Sequence, residues 1–198
     1  MRSRSCSSGC LPLLVLMSLS LGACAVQSGL AGGVHLEHGG PDQAMWSGHL
    51  AALKTPEPGG SGMLLGVDLQ GSVGVDEGTR WLSGMRVGYG WAPASTAESM
   101  GYELHLDLGT ELTHAGLLEG YNGYVGGTLA TVVWMGGTRT ITDLNGEQWV
   151  MKPMPELVVF GRGRASQTIE CDNADPKCLR VTFEVGIALR MALLSEFL

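Results

Sequence analysis

The chain has 198 residues, 31 of them glycine, with 16% charged residues and a formal net charge of −7. The length fits one domain, while glycine exceeds the ordinary usage of roughly 7% and charge falls short of about 25%. The acidic balance argues against a nucleic-acid binder, the apolar content against a disordered chain, and the lack of glycine at every third place against collagen.

The N-terminus reads as an export signal. Arg2 and Arg4 precede an apolar run at 11–21, LPLLVLMSLSL, and the small residues Gly22 and Ala23 lead to Cys24. This order is that of a secretory signal peptide over residues 1–23, too short and one-sided for a membrane span. Beyond it, no apolar run reaches the ~18 residues a transmembrane helix needs. Leu21-Gly22-Ala23-Cys24 resembles the lipobox of bacterial lipoproteins. The resemblance implies that Cys24 becomes the first mature residue and carries lipid, palmitate included, which makes membrane lipid a partner. Ala25 is not the aspartate that holds enteric lipoproteins at the inner membrane, so the resemblance points to the outer membrane of the cell envelope. Ala23-Cys24-Ala25 also forms an A-x-A cleavage site, which would release a soluble chain starting at Val26.

Residues 25–43 are rich in glycine, serine and alanine. The expectation is a flexible tether over 24–43, with room for a short strand at Val34-His35-Leu36, ahead of a barrel domain over 44–198. From Ala44 onward the pattern has period two, broken by turn signals, without a helix signature. Strands are expected at about 44–54, 61–75, 80–91, 100–112, 122–135, 138–151, 156–168 and 179–193. In 63–75 the odd positions carry Met63, Leu65, Val67, Leu69, Val73 and Val75. In 80–91 they carry Trp81, Met85, Val87, Tyr89 and Trp91, and in 101–112 the even positions carry Tyr102, Leu104, Leu106, Leu108 and Leu112. Stretches 122–135 and 156–166 have valine and glycine on both faces. The sixth strand contains Asn145-Gly146, a hairpin signal that makes seven or nine strands the alternatives to eight. In the last strand Val181, Phe183, Val185, Ile187, Leu189, Met191 and Leu193 share one face. Its parity reaches Phe197, so it resembles the C-terminal assembly strand of outer-membrane barrels, with Leu198 in place of a terminal aromatic. Residues 187–198 also read as a short helix.

Cys6 and Cys10 leave with the signal. Cys171 and Cys178 flank CDNADPKC, a polar stretch read as an exposed loop, and in an oxidising compartment they are expected to form a disulfide.

Alternating strands build a soluble barrel or sandwich with the apolar face inside, or a membrane barrel with the apolar face on lipid. The polar face here is glycine with scattered charges: Arg86, Glu103, His105, Asp107, Arg162, Arg164, Glu184 and Arg190. Small residues beside paired charges suit a narrow barrel interior, and arginine suits buried pairing better than lysine. Trp81, Trp91, Tyr102 and Trp134 stand near strand ends, as an interfacial girdle requires. The reading is an all-β, antiparallel up-and-down barrel of about eight strands after a signal peptide.

Glu103, His105 and Asp107 share one strand face and could bind a metal or act as a general base; a charge ladder answering Arg86, Arg162 or Arg164 is the plainer account. His35, His38, His49 and Asp42 could in principle hold zinc, but exposed loop histidines are far commoner, so no metal is expected. G-x-S-x-G is absent, the glycines follow no dinucleotide pattern, and no cofactor is implied. The functional expectation is a lipid-anchored outer-membrane barrel with a structural or surface-interaction role, not an enzyme. The alternatives are a lipid-anchored soluble barrel of lipocalin-like architecture binding an apolar ligand, and a membrane-embedded lipid-modifying enzyme.

Overall fold

A computed structural model describes residues 24–37, 42–56, 60–74, 79–93, 100–113, 120–135, 139–142, 148–151, 155–168 and 179–192. The described elements are all strands: β1 (Cys24–Glu37), β2 (Gln43–Lys54), β3 (Gly62–Gly74), β4 (Thr79–Trp91), β5 (Met100–Thr113), β6 (Gly120–Trp134), β7 (Arg139–Thr142), β8 (Gln148–Met151), β9 (Glu156–Thr168) and β10 (Leu179–Ala192). Eight of them close an antiparallel barrel in the order β1-β10-β9-β6-β5-β4-β3-β2. Pairing of β1 with β10, from Ala25 opposite Ala192 to Glu37 opposite Arg180, makes the closure. Closure leaves the barrel sheet without a free edge, the exposed pairing template that soluble sheets must guard. β7 and β8 pair only with each other, as an insertion between β6 and β9.

One barrel end carries the strand termini Cys24, Lys54, Gly62, Trp91, Met100, Trp134, Glu156 and Ala192. The other carries Glu37, Gln43, Gly74, Thr79, Thr113, Gly120, Thr168 and Leu179.

Successive residues point to opposite sides of a strand, and here the two sides differ in kind. β2 and β4 alternate buried and exposed almost residue by residue. Inside lie Gln70, Arg86, Glu103, His105, Asp107, Arg162, Glu184 and Arg190. Outside, large apolar side chains stand on every barrel strand, from Leu30, 71% exposed, and Trp46, 72%, to Val185, 69%. The apolar faces read from the sequence in 63–75, 80–91, 101–112 and 181–193 are thus the outer ones. Inside, Ala31, Ala130, Val132, Val158, Phe160 and Ala188 pack as one apolar cluster, while Met45, Leu53, Leu64 and Leu82 are buried inward elsewhere. That cluster explains why 122–135 and 156–166 lack a clean polar face: β6 and β9 turn valine and phenylalanine inward there.

The interior glycines make room. A Cβ on Gly84 would run into the Tyr124 hydroxyl and the Leu108 carbonyl, and one on Gly109 would come within 2.8 Å of the Tyr124 ring. The tyrosine therefore lies against a wall that two neighbouring strands leave bare. At Gly161 an added Cβ would meet nothing within 4 Å. Gly84→Ala is expected to lower unfolding free energy by about 1–3 kcal/mol through overpacking, and Gly161→Ala by less than about 0.5 kcal/mol. Denaturant midpoints of the two variants check this; equal midpoints would mean that the Tyr124 contact does not matter.

Three expectations are corrected. Residues 24–37 are not a tether but β1, hydrogen-bonded to strands on both sides. Its glycines mislead as linker composition, yet Gly29 and Gly33 face the filled interior, where a Cβ would strike Ala188 and the Phe183 carbonyl. The barrel accordingly begins at Cys24 rather than 44. The strand expected at 138–151 is the β7–β8 hairpin outside the barrel wall, so the count of eight holds with a different membership. Trp134 is no outer girdle residue: it packs against the interior apolar cluster and donates to Glu156 at 3.2 Å. The signal peptide, Cys171, Cys178, His38 and Phe197 lie outside the described residues.

Candidate functional site

The interior charges are held in three connected layers. In the layer nearest Cys24 and Ala192, Arg190 at the end of β10 meets Glu103 on β5 with two bonds of 2.7 Å, a fork-to-fork pairing. Arg190 also donates to Gln27 on β1 at 2.9 Å and to the half-buried Glu156 on β9 at 3.3 Å. His105 Nε2 lies 3.1 Å from Glu103, and its Nδ1 has no hydrogen-bond partner. Gln27 continues to His49 at 3.1 Å, whose ring stands edge-on to Phe160.

In the middle layer Arg86 bridges two carboxylates, donating from Nη2 to Asp68 at 2.7 Å and from Nε to Asp107 at 2.8 Å. Asp107 accepts a further bond from Thr128 at 2.5 Å, and Arg162 donates to Thr128 at 3.0 Å and to Gln70 at 2.8 Å. Arg164 donates to Gln70 and pairs with Glu184 at 3.2 Å. Glu184 also accepts from Ser47 at 2.7 Å and Gln70 at 2.6 Å. Arg162 lies over the Phe160 ring at 5.1 Å and Arg164 over the Tyr124 ring at 5.5 Å. These contacts join β2, β3, β4, β5, β6, β9 and β10 across the lumen.

In the third layer Glu111 accepts from Arg180 at 2.9 Å and Ser166 at 2.7 Å, with Arg80 3.9 Å away. Arg80 donates to His35, which lies 3.3 Å from Thr182.

All eight charges named from the sequence, Arg86, Glu103, His105, Asp107, Arg162, Arg164, Glu184 and Arg190, are buried inside. The shared face of Glu103, His105 and Asp107 does not make one working unit. Glu103 and His105 belong to the layer of Arg190, whereas Asp107 is turned into the layer of Arg86. His35 and His49 sit in different layers of the wall, so they do not share a metal, and no group of three metal-ligating side chains occurs among the described residues. The sequence reading missed Asp68, Gln70, Arg80, Glu111 and Arg180 as interior charges and their partners. Their strand parity marks them: Asp68 and Gln70 lie opposite the apolar face of β3, and Glu111 opposite that of β5.

What this arrangement does is cross-link the wall. An eight-stranded barrel has an interior just wide enough for side chains to fill, and here charged forks fill it. Each ion pair lies where water is scarce, so an unpaired member would be costly.

No family model and no curated protein matches the chain. Among solved structures, the β-domain of the Bordetella autotransporter BrkA is similar at 12% identity, over 88% of this chain and 81% of that one, with a TM-score of 0.24. A TM-score of 0.24 is too low for the likeness to inform fold or function.

Proposed function

We propose that the chain is a membrane-spanning barrel of the outer membrane, carrying lipid on Cys24, with a structural or surface-interaction role rather than an enzymatic one. The observation that supports this best is the inversion of the two faces. Soluble monomers rarely expose contiguous apolar patches beyond a few hundred Å², yet here every barrel strand turns large apolar side chains outward over a charged interior. Lipid is the solvent in which that order is favourable. Barrel strands of 12 to 15 residues exceed the roughly 9–11 that a tilted crossing takes. Outward aromatics gather toward both ends, Trp46 and Trp81 at one, Tyr89, Trp91 and Tyr102 at the other, as an interfacial belt does. Among the described residues no helix is long and apolar enough to cross a membrane; the strands are the crossing elements.

Since β1 starts at Cys24, lipid there would sit at the barrel rim, without an intervening linker. A lumen built for an apolar ligand would be lined by apolar side chains, whereas this one is lined by six arginines and their carboxylates. The test is expression of residues 24–198 with Cys24→Ala. The chain is expected to require detergent and to migrate differently on gels with and without heating. A folded, detergent-free monomer would overturn the membrane reading. Mass spectrometry of the exported full chain checks the anchor: an unmodified chain starting at Val26 would overturn lipidation alone.

A further inference from the structure

The outer wall is not uniformly convex. From Leu157 on β9, across β10, β1, β2 and β3, to Trp81 on β4, it sinks into a trough of about 670 Å³. Three small outward residues in adjacent strands, Ser28, Gly48 and Gly71, make its floor, and Leu30, Leu50 and Trp81 are among its walls. Internal packing does not demand the glycine at 48: a Cβ there would approach nothing closer than the Leu30 methyl at 3.7 Å. The trough opens to the outer surface, and at Gly29 its floor is thin enough for His49 and Ala188 to border it from inside. Its lining carries no charge on the outward side.

Six residues further along the same outward face of β2 stands Lys54, exposed at the strand end. Every described arginine and histidine side chain is buried in the lumen, so Lys54 is the one basic group on the outer wall among the described side chains. The outward residues between are Leu50 and the small Ala52. At ~3.3 Å per residue and a tilt of about 40°, six residues descend roughly 15 Å. That is the depth of one leaflet, half of a hydrocarbon core of ~30 Å. The trough thus runs from mid-membrane at Gly48 toward Trp81 at the opposite interface, and Lys54 stands at the level of the headgroups on the near side.

We infer that Lys54 and the trough together hold one phospholipid, its phosphate paired with the Lys54 ammonium and an acyl chain laid over Gly48 and Gly71. The inference rests on the membrane reading and adds to it a defined lipid at a defined place. A flexible acyl chain can follow a depression floored by glycine, and a phosphate matches a lone lysine in charge.

The test uses the full-length exported chain in phosphatidylcholine vesicles containing phosphatidylglycerol with a photoreactive diazirine in its acyl chain. Labelled positions are mapped by peptide mass spectrometry. Labelling is expected to concentrate on Leu30 and Leu50 over Leu106 and Leu129 on the far wall. Gly48→Phe, which fills the trough, should bring the two walls level without disturbing heat-modifiable migration. Lys54→Glu should cut trough labelling about fivefold, the effect of one basic residue near an anionic surface. Equal labelling of both walls in the parent chain, or no response to Gly48→Phe, overturns the site. A trough that is protected from label but cross-links between two copies assigns it to a second copy and also overturns it. A chain that neither floats with the vesicles nor takes up label anywhere overturns the membrane reading itself, a different failure from the others.

Discussion

Replacing Arg86 with leucine is expected to lower the unfolding free energy by about 3–5 kcal/mol, the cost of stripping a buried charge of its partner. Arg86 is fully buried and holds Asp68 and Asp107 at 2.7 and 2.8 Å. Without it, two carboxylates some way from water face one another with Arg162 as their shared cation, 3.4 Å from one and 3.7 Å from the other. Three charges balanced against neighbours become two anions competing for one guanidinium. Lysine is not an adequate substitute, because a single ammonium cannot present two separate N–H directions to carboxylates on β3 and β5. The double variant Arg86→Leu with Asp107→Leu should recover part of the loss, since it removes a stranded anion along with the cation. The measurement is urea unfolding in detergent or vesicles, arranged as a double-mutant cycle. If Arg86→Leu costs less than about 1 kcal/mol, or if the double variant is worse than the single by the full cost of Asp107→Leu, then the interior network does not lock the wall.

The same network shows what the sequence discloses and what it conceals. Period-two alternation made β3, β4, β5 and β10 legible, because each puts leucine, valine or aromatics on one face and glycine with single charges on the other. Small residues beside scattered charges on the polar face, with arginine as the cation, were enough to put that face inside. Pairing was a different matter. Arg190 and Glu103 lie on strands that are not neighbours in the barrel, so they meet across the lumen and not through a ladder register. Nothing in a linear pattern indicates which arginine will reach which carboxylate over that distance. β1 was concealed for another reason: its inward positions Gly29, Ala31 and Gly33 are small because the interior is full at that level. A strand made of small residues has the composition of a linker. The β7–β8 pair reverses that error: the stretch expected as one strand of the wall is two short strands that pair only with each other, outside the barrel sheet.

The outer face yields the sharper expectation, because the two solvents it could meet predict opposite outcomes for one substitution. Leu106 lies at the middle of β5, 51% exposed and pointing outward between Val87 on β4 and Gly127 on β6. In water, Leu106→Arg at such a position would cost almost nothing and would raise solubility. In a bilayer the guanidinium would sit near the midplane, where the cost is about 2–4 kcal/mol, falling to about 0–1 near the interfaces. Leu112→Arg, six residues along the same face and near the barrel end, supplies the comparison. The expected result is a graded loss: Leu106→Arg lowers the urea midpoint in vesicles strongly, and Leu112→Arg hardly at all. Inward substitutions cannot give that grading, since the lumen is charged along its whole length and its cost depends on the local partner, not on depth. Equal effects at the two outward positions, or a gain in detergent-free solubility for both, would place the apolar wall in water and leave its size without a physical reason. A gradient that follows depth would mean that the shortage of surface charge in this chain is a property of its solvent.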